Sequence, residues 1–187
     1  MSTGIVSLVV ASFPYSLPAQ KEVGWGIWWA NLTLFCLFLT LMVSRLLTSL
    51  SGSKLLLSDP VQPLYLGAIP MSLATIVNGF PLFLAPRWGP AVPTAALVLW
   101  AIAAGLSGLC SLLLPLHLFI RHQHSLDSVL GAWLLPAIPG LVAAASGALV
   151  AQSCSPAVSR QVLLGSVVLW GLGFMPSMLI LVAFFLR

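Results

Sequence analysis

The side chains of this chain that could bind a ligand in apolar surroundings are neutral hydroxyls and amides beside prolines. Ser72, Thr75 and Asn78 recur every three residues after Pro70, a spacing that places them on one face of a helix. Neutral donors solvate a small anion weakly and repeatedly, which a conducting path requires because the anion must also leave. The alternative is that these residues join helices through hydrogen bonds, each worth about 0.6 kcal/mol in a membrane bundle.

A pair of prolines later in the chain, which we call the proline step, is also followed by a polar residue. Pro136 and Pro139 precede Ser146, which lies in a run of small residues. Proline has no N–H, so inside a helix it deprives the carbonyl four residues earlier of its donor, which here would affect Ala132 and Leu135. In hydrocarbon such carbonyls need protein or water, which favours a bundle interior or a cavity. The residues that we predict to line a path are Pro70, Ser72, Thr75, Asn78, Pro136, Pro139, Gly140 and Ser146.

Three histidines close to one cation form the pattern that would suggest metal chemistry. His117, His122 and His124 surround Arg121, and three histidines can bind zinc. We expect no metal, because Arg121 would oppose a metal cation and His117 lies a full turn inside an apolar run; a basic, pH-responsive helix end fits better. The sequence has no nucleophile motif, phosphate loop or dinucleotide fingerprint. We therefore predict that the protein is not an enzyme and has no cofactor and no nucleic-acid partner. The alternative is a membrane-embedded metal enzyme that uses the three histidines.

The composition of the chain predicts the environment in which these residues lie. Charged side chains make up 5% of the 187 residues, the apolar fraction is 60% and the mean hydropathy is +1.11, whereas soluble domains carry about 25% charged residues. A bilayer core of about 30 Å takes roughly 20 apolar residues in a helix, and the apolar runs do not alternate as barrel strands do. We predict an all-α, multi-pass bundle of helical hairpins in a lipid bilayer, forming one domain over 1–187. The predicted spans are 23–47, 64–85, 94–120, 129–152 and 162–186, with part of a sixth at 1–13.

Basic residues near the ends of the spans favour one orientation weakly. With six crossings, the side of the N-terminus collects one more basic residue than the other side, which favours a cytoplasmic N-terminus. Arg45, Lys54 and Arg121 share that side. We predict that these three form a basic mouth, because positive charge raises the local concentration of anions.

Three segments of the sequence resemble one family of membrane proteins. They are MSTGIVS at 1–7, DPVQPLYLGAIPM at 59–71 continuing to ATIVN at 74–78, and WLLPAIP at 133–139 through AAASG at 143–147. They resemble the tellurite-resistance/dicarboxylate transporter family, which includes voltage-dependent slow anion channels, malate permeases and fungal sulfite efflux pumps. The likeness is closest to the sulfite-pump branch.

The resemblance implies a fold of ten helices in five hairpins. Proline-bent odd helices would line a central path, even helices would form an outer ring, and three subunits would assemble as a homotrimer. The chain resembles helices one to six of the ten, which predicts a fragment of a longer protein. The implied function is transmembrane anion export in the plasma membrane, with sulfite as the first cargo and a C4-dicarboxylate such as malate as the alternative. A non-transporting fragment or subunit is a further alternative.

Overall fold

The computed structural model describes residues 2–14, 19–48, 62–89, 91–121 and 131–186, which form helices and connecting turns without a strand. Six main helices follow one another in these ranges: α1 Ser2–Ser12, α2 Gln20–Thr48, α3 Ala68–Val77, α4 Ala91–Arg121, α5 Ile138–Ala151 and α6 Pro156–Phe185. The shorter helical segments are the 3-10 turns Gln62–Gly67 and Gly131–Leu134, the π-helical Phe80–Leu84 and the helix Ala85–Trp88. The predicted all-α class is confirmed.

The helices pack as consecutive pairs around α3. Contacts join α1 to α2, α3 to α4, α4 to α5 and α5 to α6, and α3 also contacts α1, α2 and α5. Within the described ranges, four helical stretches are long and apolar enough to cross a membrane, namely Gln20–Arg45, Pro63–Trp88, Ala91–Leu116 and Pro156–Phe185. In the most apolar part of Pro63–Trp88 50% of the residues are buried, against 11% in Gln20–Arg45. The stretch that contains α3 is therefore the centre of the packing.

The even-numbered helices present broad apolar faces to the outside. Phe38 on α2, Leu112 on α4 and Leu179 on α6 are each more than half exposed, as are many of their apolar neighbours. Soluble proteins rarely expose contiguous apolar surface on this scale, whereas lipid tails accept it. The even helices therefore form the layer that suits contact with the bilayer.

The prolines of α3 and α5 lie where these helices begin and do not interrupt them. Pro70 is the third residue of α3 and Pro139 is the second residue of α5, positions in the first turn whose N–H groups have no partner within the helix. The prediction that Pro136 leaves the carbonyl of Ala132 without a donor is wrong. The Leu135 N–H donates to that carbonyl at 3.1 Å within a 3-10 turn.

The predicted span at 129–152 contains a 3-10 turn followed by α5, which has 14 residues. At 1.5 Å per residue, α5 extends about 21 Å, which is shorter than a bilayer core of about 30 Å. The physical reason is that Pro136 and Pro139 cannot donate the hydrogen bonds of one continuous helix. The crossing by 129–152 stays a prediction, as does the extent of the single domain.

Two glycines allow neighbouring backbones to contact both sides of Pro136. A Cβ on Gly67, just before α3, would lie 2.5 Å from the carbonyl oxygen of Leu135. A Cβ on Gly173 of α6 would lie 2.8 Å from the carbonyl oxygen of Ala137. Because both neighbours are backbone atoms, neither can move aside cheaply. The proline step is therefore held between the start of α3 and the middle of α6.

We predict that Gly67→Ala lowers the stability of the protein by about 1–3 kcal/mol, the usual cost of overpacking. Thermal unfolding in detergent measures the effect. Gly105→Ala in α4 is the matched control, because its Cβ would meet nothing within 4 Å and alanine favours a helix over glycine. Equal unfolding temperatures for the two variants would contradict the close approach of Gly67 to Leu135.

Candidate functional site

A cavity of about 450 Å³ lies where the three odd-numbered helices end. We call it the odd-helix cavity. Its volume is within the range of small-molecule sites, about 300–1,000 Å³. α1, α5 and the segment that follows α3 each contribute to its wall. The lining residues are Leu8, Ser12, Asn78, Pro81, Leu82, Leu149, Gln152 and Ser153.

The wall of the odd-helix cavity is neutral, and half of its residues are apolar. The hydroxyl of Ser12 donates to the Leu8 carbonyl at 2.7 Å, and that of Ser153 donates to the Val150 carbonyl at 2.9 Å. These two hydroxyl hydrogens are thus already in use. Asn78 differs, because its buried Oδ1 is, with Ser107 Oγ, one of two buried side-chain atoms in the described residues without a hydrogen-bond partner.

Asn78 is placed by a break in the helical backbone. α3 ends at Val77, and the backbone becomes π-helical at Phe80–Leu84. Pro81 has no N–H for the carbonyl four residues earlier, and π-helical turns often occur at functional sites. The main irregularity of the predicted third span is therefore at Asn78–Leu84 and not at Pro70. The close pair of Gly79 and Pro81 was the sequence signal for it.

A tryptophan of α2 stabilises this break. The indole N–H of Trp28 donates to the carbonyl of Ile76 at 3.1 Å. A Cβ on Gly79 would lie 2.0 Å from Trp28 Nε1, so glycine is required there. Trp28 is 1% exposed and packs with Phe80 and Phe83. The backbone beside Asn78 is therefore fixed from outside its own helix.

The other predicted hydroxyls bind backbone carbonyls. Ser72 Oγ donates to Ala68 O at 2.8 Å and Thr75 Oγ1 donates to Ser72 O at 2.7 Å. Ser146 Oγ lies 2.9 Å from Val142 O of its own helix and 3.1 Å from Ala74 O of α3, so its one hydroxyl hydrogen is shared between two carbonyls and joins α5 to α3. Thr75 and Ser146 are buried. In the described part of the chain these residues act as structural hydrogen-bond donors, and their predicted role in a path stays a prediction.

The predicted prolines and Gly140 are packed against other helices. Pro70, Pro136 and Pro139 are each less than 2% exposed. The carbonyl of Pro136 accepts a hydrogen bond from Ser111 of α4 at 2.9 Å. A Cβ on Gly140 would lie 3.0 Å from the carbonyl oxygen of Leu169. Of the eight predicted lining residues, Asn78 is the one that the structure places in the wall of the odd-helix cavity.

A second polar group, which the sequence analysis missed, joins α1, α2 and α3. Thr3 Oγ1 donates to Asn31 Oδ1 at 2.6 Å, and Asn31 is buried. A Cβ on Gly4 would lie 3.0 Å from Asn31 Nδ2 and 3.1 Å from Thr75 Oγ1. Thr3 and Asn31 are isolated polar residues within apolar runs, so only their proximity in space reveals the group.

The charged groups lie at the helix ends. Arg87 Nη2 donates to Glu22 Oε1 at 2.7 Å, and the guanidinium is 4.4 Å from the centre of the Trp25 ring. This exposed pair stands at the end of the molecule where the odd helices finish, which is also the end where the odd-helix cavity lies. Exposed pairs of this kind contribute about 0–1 kcal/mol.

The predicted basic mouth is at the opposite end. Arg45 lies near the end of α2 and Arg121 is the last residue of α4, whereas the odd-helix cavity lies beside the starts of the even helices. Lys54 is outside the described residues. His122 and His124 are also outside them, and among the described residues no three potential ligands are grouped to hold a metal ion.

Comparison with known proteins identifies the relatives of the chain. The profile of a family described as SLAC1, voltage-dependent anion channel, matches residues 1–187. A protein named sulfite efflux pump SSU1 from Arthroderma benhamiae is 34% identical over 188 residues, covering 100% of this chain and 50% of that protein. Its namesake from Trichophyton rubrum is 33% identical with the same coverage. A malic acid transport protein from Schizosaccharomyces pombe is 23% identical, covering 100% of this chain and 43% of that protein.

No solved structure matches the chain. The chain spans about half the length of the curated relatives it matches. The match to the family profile runs over the whole chain and confirms the resemblance that three sequence segments indicated. The chain therefore belongs to the voltage-dependent anion channel family.

Proposed function

We propose that this chain is part of a transmembrane anion transporter or channel, and that the odd-helix cavity is a segment of its path. One observation carries the proposal: a neutral cavity at the meeting point of α1, α3 and α5 has the Asn78 side chain in its wall. The amide oxygen of Asn78 is an acceptor and would not bind an anion, but its NH₂ group can donate hydrogen bonds to one. Family membership supports the same conclusion.

The chemistry of the wall favours an anion that passes through over one that is held. No residue of the wall carries a carboxylate that would attract a cation. None carries a cation either, so an anion would be bound only by amide and hydroxyl dipoles. Binding that is favourable enough for entry and weak enough for exit is the condition for conduction. The net charge of +4 of the chain favours anions near the protein.

For the cargo we propose sulfite, because two relatives at 33–34% identity are named sulfite efflux pumps. A C4-dicarboxylate such as malate is the second candidate, supported by the relative at 23% identity. Export from a cell requires the plasma membrane, so we propose that location. A homotrimer with one path in each subunit follows from the family resemblance and is part of the same proposal.

We predict that Asn78→Leu in the full-length polypeptide reduces anion flux into liposomes by about tenfold or more. A hydrogen bond to a charged group is worth about 1.5–3 kcal/mol, and leucine cannot form one. Asn78→Gln, of nearly the same size, keeps the amide and is expected to retain most of the flux. Equal losses of flux in both variants would show that the size or shape of the side chain at position 78, and not its amide group, determines the flux.

The control for protein integrity is Ser111→Ala on α4. It removes the hydrogen bond to the carbonyl of Pro136, so stability should fall by about 0.6 kcal/mol while flux stays near the wild-type value. Asn78→Leu should leave the unfolding temperature almost unchanged, because it removes a buried acceptor that has no partner. Unaltered flux in Asn78→Leu would remove the odd-helix cavity from the path.

The proposed cargo predicts opposite outcomes in two assays of the same cells. In yeast cells that lack their own sulfite and malate transporters, expression of the full-length protein should raise tolerance to external sulfite. It should leave uptake of labelled malate at the background level. Malate uptake without sulfite tolerance would transfer the assignment to a dicarboxylate, and Asn78→Leu serves as the inactive control in both assays.

A further inference from the structure

The π-helical segment Phe80–Leu84 is attached to α2 on both of its sides. Before the segment, the indole N–H of Trp28 donates to Ile76 O at 3.1 Å. After the segment, Arg87 Nη2 donates to Glu22 Oε1 at 2.7 Å. Trp28 and Glu22 both belong to α2. The irregular part of the predicted third span is therefore fixed to one outer helix at its start and at its end.

Aromatic side chains fill the space between these two attachments. The Trp25 ring stacks on Trp28 at 5.6 Å, and the Phe83 ring lies 5.9 Å from Trp25. Gly24 leaves room for Phe83, because a Cβ there would lie 3.3 Å from its Cζ atom. The Arg87 guanidinium is 4.4 Å from the centre of the Trp25 ring, whose face attracts a cation. Arg87 thus ends a packed row of rings that begins at Trp28.

The backbone of the segment has fewer hydrogen bonds of its own than a regular helix. The Ala85 N–H donates to Phe80 O, five residues earlier, whereas an α-helix joins residues four apart. Pro81 and Pro86 have no N–H to donate. Side-chain contacts with α2 therefore contribute more to the conformation of this segment than they would in an unbroken helix.

The register of the segment determines which side chains the odd-helix cavity contacts. Asn78, Pro81 and Leu82 belong to the wall of that cavity. Loss of the extra residue of the π-helical turn would rotate one side of the segment relative to the other by about 100°, the rotation per residue in a helix. Such a rotation would either move Leu82 out of the wall or separate Arg87 from Glu22. The wall and the ion pair therefore depend on the same register.

We propose that Arg87 is a positioning residue for the odd-helix cavity. Held by Glu22 and Trp25, it fixes the register of the π-helical segment, and that register keeps Asn78 and Leu82 in the wall. Arg87 is not among the residues that line the cavity, so it acts through the segment. The consequence for transport rests on the proposed function, whereas the register itself can be measured without transport.

The test measures the register through single cysteines in the full-length polypeptide, after its native cysteines have been replaced by alanine. Leu82→Cys reports on the π-helical wall and Leu149→Cys on the facing wall from α5, and the two leucines are similarly exposed, at 41% and 39%. The rate of reaction with a water-soluble thiol reagent is measured in membranes. Arg87→Gln should change the rate at position 82 by about twofold to fivefold, the largest shift expected from an exposed ion pair. It should leave the rate at position 149 unchanged.

The matched control is Arg160→Gln, because Arg160 is an exposed cation near the start of α6 at the same end of the molecule. Glu22→Gln removes the other partner of the pair and should change the rate at position 82 in the same direction as Arg87→Gln. The double variant should change it by less than the product of the two single effects, because both remove one interaction. A rate at position 82 that is the same in Arg87→Gln as in Arg160→Gln would overturn the proposal. So would equal changes at positions 82 and 149, which would show a general loosening of the bundle.

Anion flux into liposomes separates this inference from the proposed function. Arg87→Gln should reduce the flux while Arg160→Gln leaves it near the wild-type value. Unchanged labelling at position 82 together with a block of flux by Asn78→Leu would overturn the positioning role alone. Altered labelling with unchanged flux in both Arg87→Gln and Asn78→Leu would support the positioning role and overturn the proposed path.

Discussion

Backbone carbonyls in hydrocarbon need hydrogen-bond donors from within the protein, and the packing of α3 and α5 depends on this requirement. The donors are side chains of neighbouring helices. Trp28 and Trp100 supply indole N–H groups, and Ser111 and Ser146 supply hydroxyls. Each bond ends on the backbone of an inner segment. These bonds therefore fix the inner segments against the outer helices and, through Ser146, fix α5 against α3.

This use of donors explains why most polar residues of the interior are poor candidates for ligand binding. A hydroxyl that donates to a carbonyl keeps only its lone pairs, which repel an anion. Ser72, Thr75 and Ser146 are in this state. Asn78 is different because the π-helical segment places it at the end of α3, where the odd-helix cavity begins. A position in the wall of the odd-helix cavity thus distinguishes Asn78 from the other predicted residues, and distance from a proline does not.

The arrangement of the helices agrees with membership in a family whose curated relatives are about twice as long. Even helices carry exposed apolar faces, and α3 has the most buried surroundings. The odd-helix cavity has walls from only three helices in the described residues. Charge lies at the ends, where Arg87 is paired with Glu22 and stacked on Trp25. Within the described residues, the interior is consequently formed by neutral groups.

The sequence by itself determined the membrane environment and the helical class, because composition and the length of apolar runs can be read without knowing which helices pack together. It also indicated the family, through three segments of the chain. It placed Pro70 and Pro139 as breaks inside longer spans, because proline is restricted in any helix, whereas in the structure the helices α3 and α5 begin close to them. Tertiary structure decided which of the predicted polar residues lie in the wall of the odd-helix cavity. The acceptor of Ser146 is 72 residues away and that of Trp28 is 48 residues away, and no periodicity encodes such pairs. Contacts between helices, and not spacing along one helix, therefore selected Asn78 from the predicted set.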